Sequence, residues 1–114
     1  MSEMKIRPKI RLMYAKEDKF YGPGVHDLLL LIQKTGSVQK ACEEMGLSYS
    51  KGRRLVRQLE QHMGVPMVER WIGGSNGGGA RITEEGLQLM KTYETMLEEI
   101  STYTNEIFEK YWRK

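Results

Sequence analysis

Residues 37–63 read SVQKACEEMGLSYSKGRRLVRQLEQHM, and the joint Gly46-Leu47-Ser48 inside them limits what the chain can become more than any other feature. Ser37 is an expected N-cap, after which Val38, Ala41, Cys42 and Met45 recur at helical spacing until Gly46 stops the helix. Ser48 stands where a second N-cap is needed, and the helix it opens runs to about Met63. Two helices joined by so tight a turn containing glycine are a helix-turn-helix candidate.

At about 100° per residue, the second of these helices gathers Gly52, Leu55, Val56, Leu59 and Met63 on one side and Ser50, Arg53, Arg54 and Arg57 on the other. The apolar side must be core. A helix that merely faces water mixes signs to gain i,i+4 pairs, yet Lys51, Arg53, Arg54 and Arg57 fall within seven residues that hold no carboxylate. Such self-repulsion is useful against phosphate; the plainer alternative is a solvated basic face with no partner.

The charge of the whole chain, 18 Lys+Arg against 15 Asp+Glu, says less than its distribution. Between 48 and 81, Lys51, Arg53, Arg54, Arg57, Arg70 and Arg81 oppose only Glu60 and Glu69, whereas 83–114 carries seven glutamates against four cations. One part of the molecule is built to meet an anion and another is not. At 114 residues the expectation is a single domain with a modest core. The lone Cys42 excludes an internal disulfide and a cysteine-based metal site, and the longest apolar run, Leu28–Ile32, is far short of a membrane span. A cytoplasmic protein is expected.

Before the helix-turn-helix, KIRLMYA (9–15) alternates Ile10, Leu12 and Tyr14 with Lys9, Arg11 and Met13, which predicts a strand. Residues 16–19 turn it and Phe20-Tyr21 begin the return, giving an N-terminal hairpin over 9–21. The block His26–Lys34 carries Leu28, Leu29, Leu31 and Ile32 as a helical face closed by Gly36.

After Gly64, Met67–Ile72 suits a strand and Ala80–Thr83 its partner, with a glycine-rich stretch between them. Neither a P-loop nor a dinucleotide fingerprint fits, because Gly79 is followed by Ala-Arg-Ile-Thr. The stretch reads as the tip of a hairpin, a wing, whose amides and flanking Arg70 and Arg81 can reach phosphates; a loop with no contacts is the alternative. Thr83 caps a last helix with Glu84 and Glu85 in its first turn. Met90, Tyr93, Leu97, Ile100, Thr104, Ile107 and Tyr111 then recur at three- and four-residue steps, widened by Leu89, Met96 and Tyr103. That is a coiled-coil seam, part of which is expected to meet a copy of itself; folding back on the N-terminal hairpin is the alternative, and the two are compatible along different lengths.

These residues in this order resemble the N-terminal DNA-binding domain of ModE-type molybdate-responsive regulators over about residues 20–100. The most specific pieces are Thr35-Gly36-Ser37, Gly46-Leu47-Ser48-Tyr49, Val68-Glu69-Arg70, and Gly73-Gly74 with Gly77-Gly78-Gly79-Ala80, followed by Thr83 and Gly86. A helix-turn-helix of this kind would also suit LysR-type activators; the doubled glycine wing argues for the ModE branch. The resemblance implies a winged helix-turn-helix that dimerises through its long terminal helix and binds a palindromic operator. It places Ser48, Tyr49, Ser50, Lys51 and Arg54 nearest the DNA. Gly52-Arg53-Arg54 departs from the small and aromatic residues of relatives, so base preferences do not carry over. A stand-alone form without the C-terminal oxyanion-binding domains is expected, which leaves molybdate sensing an open question.

The expected fold is mostly α with small β: one winged helix-turn-helix domain over 1–114, with hairpin 9–21, three-helix core 26–64, wing 67–83 and dimerisation helix 84–112. The expected DNA contacts are Ser37, Ser48, Tyr49, Ser50, Lys51, Arg53, Arg54, Arg57, Arg70, Ser75, Asn76, Gly77 and Arg81, with Arg53 and Arg54 reading bases. The expected homodimer interface is Leu89, Met90, Tyr93, Met96, Leu97, Ile100, Tyr103 and Ile107. No cofactor, metal or membrane partner is expected, although a separate effector or sensor protein fits the scheme. An enzyme finds little support: His26 and His62 lack metal-ligand spacing, and Ser48, Ser50 and Ser75 have no adjacent base. His62 suits a helix end, His26 a surface or capping role, and Cys42 a small core position. The rival function is a protein-interaction module in which the long helix recruits a partner and the basic helix is incidental.

Overall fold

The computed structural model describes residues 7–14, 18–73 and 78–112. Strands β1 (Leu12–Tyr14) and β2 (Asp18–Tyr21) pair antiparallel, with Leu12 opposite Tyr21 and an irregularity between Leu12 and Met13. Helices α1 (Pro23–Thr35), α2 (Val38–Met45) and α3 (Tyr49–Met63) follow, then β3 (Val68–Ile72), β4 (Gly78–Ile82) and the long α4 (Glu84–Trp112). This is a winged helix-turn-helix, and no helix among the described residues is long and apolar enough to cross a membrane.

Local chemistry sets most boundaries. α1 begins three residues before the expected His26, because Pro23 occupies its first turn, where a missing N–H costs nothing and the fixed φ suits a helix. Ser37 Oγ accepts from the Lys40 N–H at 3.1 Å, and Ser48 Oγ accepts from the Lys51 N–H at 3.1 Å. Each cap is worth about 1 kcal/mol. Gly46 ends α2 in the left-handed region, φ 71°, where its N–H reaches back to the helix's last carbonyls and turns the chain toward Ser48.

β4 begins at Gly78, two residues ahead of the expected Ala80. The reason is the opposite strand: Trp71 pairs with Gly79, and a Cβ on Gly79 would stand 2.7 Å from the Trp71 indole. A bare backbone at this position lets the ring lie against the strand. Ser75, Asn76 and Gly77 lie outside the described residues.

Leu28, Leu29 and Ile32 of α1 pack with Val38, Ala41 and Cys42 of α2, Val56 and Leu59 of α3, and Ala80 and Ile82 of β4. Burying each large aliphatic side chain contributes roughly 1.5–3 kcal/mol. α2 and α3 cross at Gly52, which is enclosed because any Cβ there would meet Cys42 Sγ. Cys42 is a core residue, and burial pushes its thiol pKa up. Met63, expected on the apolar side, is 39% exposed, since it sits at the last position of α3, beyond the elements that cover Val56 and Leu59.

Two polar clusters tie the layers together. Glu60 on α3 accepts from the backbone N–H groups of Met67 and Val68 at 2.8 and 3.2 Å, holding the start of β3. His26 does not lie on the surface. It is buried, its Nδ1 meets the Tyr21 hydroxyl at 2.5 Å, and its Nε2 donates to Glu94 Oε2 at 2.9 Å. Its ring also packs against those of Tyr21 and Tyr93, which contact each other edge to face. Burial, with the nearby Tyr93 and Glu94, drives the Tyr21 phenol pKa far upward, so it remains a hydroxyl. Because His26 joins β2, α1 and α4, a polar residue ends up inside the core rather than capping a helix.

Candidate nucleic-acid interface

α3 presents the expected division. Gly52, Val56 and Leu59 are buried, while Ser48, Ser50, Lys51, Arg54 and Arg57 are exposed. Among the described residues none of Lys51, Arg53, Arg54, Arg57 and Arg70 belongs to an ion pair. A row of unpaired cations beside a helix N-terminus is a standing positive field.

Arg53 differs from its neighbours. It is half-buried, its guanidinium carbon lies 5.8 Å from the centroid of the Tyr49 ring, and its Nε is buried with no hydrogen-bond partner among the described residues. A donor left in that state costs on the order of 1–3 kcal/mol. The sequence assigned Arg53 to the same outward face as Arg54, but the side chain turns toward the cleft between the helix-turn-helix and the wing.

That cleft holds about 1270 Å³ between the Thr35-Gly36-Ser37 turn, α2, the start of α3 and both wing strands. Thr35 Oγ donates to Leu31 O at 2.7 Å and accepts from the Ser37 N–H at 3.2 Å, which fixes the turn. The Ala80 N–H donates to Gly36 O at 2.8 Å and so joins β4 to the same turn. Ser37 lines the cleft, half-buried, and Tyr49 lines it while remaining 46% exposed. Sequence reasoning missed Lys40, Trp71 and Ile72, which also line it; Trp71 is 51% and Ile72 98% exposed. The Trp71-Ile72 pair directly before the glycine-rich stretch was a usable signal.

The wing arginines part company. Arg70 is exposed and lines the cleft, whereas Arg81 Nε donates to Glu69 Oε1 at 2.7 Å across the strand pair. Glu69 and Arg81 are direct cross-strand partners, and in water such a pair is worth about 0.2–1 kcal/mol.

α4 divides its apolar residues between two stripes. Met90 and Tyr93, expected at a dimer interface, are 4% and 2% exposed because they complete the chain's own core, and the Tyr93 hydroxyl donates to Ile10 O at 2.7 Å. Leu89 and Leu97 pack partly against that core. Met96, Ile100, Tyr103 and Ile107 step by four, three and four residues along an adjoining face and are 37%, 38%, 65% and 42% exposed. The first half of the stripe is therefore folded inward, and Met96, Ile100, Tyr103 and Ile107 in the second half face out.

A family profile described as the bacterial regulatory helix-turn-helix proteins of the lysR family matches residues 27–87. The molybdenum-pterin-binding protein MopB of Rhodobacter capsulatus is 38% identical over 66 residues, covering 58% of this chain and 24% of its own length. The DNA-binding transcriptional dual regulator ModE of Escherichia coli (strain K12) is 31% identical over 77 residues, covering 68% of this chain and 29% of its own. In three dimensions the chain is similar to the protein of a CbnR_DBD–DNA complex, with a TM-score of 0.55, 17% identity and coverage of 73% of this chain and 90% of that one. At that identity the likeness is one of fold. The chain spans about a quarter to a third of the length of the curated relatives it matches.

Proposed function

Because the chain belongs to the bacterial regulatory helix-turn-helix proteins of the lysR family, in its ModE-type form, we propose that it binds double-stranded DNA as a homodimeric transcriptional regulator. The observation that carries this is the exposed basic face of α3 standing beside the wing, unpaired among the described residues. With α3 in a major groove, Ser50, Lys51 and Arg54 face base edges and Arg57 the adjoining backbone, while Arg70 and the wing follow the flanking phosphates. An arginine that grips guanine through both nitrogens discriminates by about 1–3 kcal/mol. Arg54 is the residue assigned that task.

Pairing through Met96, Ile100, Tyr103 and Ile107 supports the homodimer, since these side chains form a short heptad seam left open by the chain's own core. Two recognition helices held by such a seam suit a palindromic site with half-sites about 34–36 Å apart. The test is selection of bound sequences from a random duplex pool. Inverted repeats are expected from the wild type, and Ile100→Glu should sediment as a monomer and lose them. A wild-type chain that retains no duplex even in dilute buffer refutes the reading.

A further inference from the structure

Resting on the DNA-binding reading above, we infer that the cleft between the helix-turn-helix and the wing seats one phosphate and its deoxyribose from the DNA backbone, with Arg53 as the phosphate clamp and Trp71 as the sugar platform. Arg53 is thereby removed from the base-reading set. Three observations converge on this. The first is charge: Lys40, Arg53 and Arg70 line the cleft against the single carboxylate of Glu43 among its described residues. The second is the Arg53 Nε, buried and without a hydrogen-bond partner among the described residues, on a guanidinium held against the Tyr49 ring. A half-buried arginine has fewer side-chain arrangements to lose when an anion arrives, and its guanidinium has no competing ion pair among the described residues.

The third is the apolar wall. Trp71 lines the same cleft and is half-exposed, and Gly79 beneath it leaves room for the indole to lie along β4. An inorganic anion has no use for such a wall. A sugar–phosphate unit does, because it alternates a charged group with an apolar ring face. A backbone contact of this kind carries no sequence information, which separates Arg53 from the exposed Arg54.

The two roles give different readouts on a duplex selected by the protein and on a scrambled one. Arg53→Ala should lower the slope of log affinity against log salt by about 0.9, the value for one phosphate, and weaken both duplexes by the same factor. Trp71→Ala should weaken both equally while leaving the slope in place. Glu43→Gln, at an exposed position, should tighten both and serves as an independent check should Arg53→Ala fold poorly. In Trp112→Phe, where Trp71 is the remaining tryptophan, duplex should change the indole emission and inorganic phosphate at equal ionic strength should not.

An unchanged salt slope in Arg53→Ala, or a drop in its affinity for the selected duplex alone, overturns the assignment. So does an equal response of Trp71 to inorganic phosphate, which would make the cleft a small-anion site. These results leave the DNA-binding reading standing provided the wild type still prefers the selected duplex; a wild type that binds no duplex overturns both.

Discussion

The crossing of α2 and α3 at Gly52 can be tested with two substitutions that should each harm the protein and together repair it. A Cβ at position 52 would collide with Cys42 Sγ, whereas Cys42 Cβ lies 3.7 Å and Leu28 Cδ2 4.0 Å away, both ordinary contacts. Overpacking costs about 1–3 kcal/mol, and alanine in a helix interior regains about 1 kcal/mol over glycine. Because the obstructing atom is a buried side chain on a packed helix, the cost falls toward the upper end of that range, and Gly52→Ala should lose up to about 2 kcal/mol net. Cys42→Ala removes a buried sulfur and should lose about 1 kcal/mol. In the double variant the new methyl fills the space the sulfur left, so stability should return to within about 1 kcal/mol of the wild type. Urea midpoints at one fixed protein concentration measure all four proteins, the concentration being held because any self-association adds to apparent stability. A double variant no more stable than Gly52→Ala would refute the reasoning, since the clash would then lie elsewhere.

Glu60→Ala strands the Met67 and Val68 amides and should cost about 2 kcal/mol by the same urea assay, while Glu60→Gln keeps one acceptor oxygen and should cost less. The Tyr21 phenol titrates higher in the folded chain than in the unfolded one, so its contribution is complete below about pH 10 and fades as pH rises toward the folded value. Stability should accordingly decline on the alkaline side, and Tyr21→Phe should flatten that decline without abolishing it, because burial also raises the Tyr93 pKa.

What the sequence disclosed was what neighbours along the chain decide. Ser37, Ser48 and Thr83 mark helix starts, and Gly36, Gly46 and Gly64 mark ends, through contacts spanning three or four residues; the bounds of α2, α3 and α4 follow from them. The faces of α3 were legible for the same reason, since periodicity is local. Contacts between distant residues were not. Nothing near His26 announces Glu94, 68 residues away, and nothing near Glu60 announces two amides on the following strand. Arg53 and Arg54 are adjacent letters with the same chemistry, and the cleft formed by α2, Tyr49 and the wing makes one half-buried while the other stays exposed. The seam of α4 was visible as one stripe, but its division needed the core in place to take Met90 and Tyr93.

The bond from the Ala80 amide to the Gly36 carbonyl fastens the wing to the corner where α1 meets α2. Wing and helix corner are thereby yoked: a change that re-tilts α2 drags β4 with it, and a wing re-aimed by mutation strains the corner. On the proposed DNA-binding reading, new sequence preferences are therefore easiest to acquire by exchanging side chains on the outer rim of α3, where exposed Ser50, Lys51 and Arg54 can be replaced without disturbing the frame.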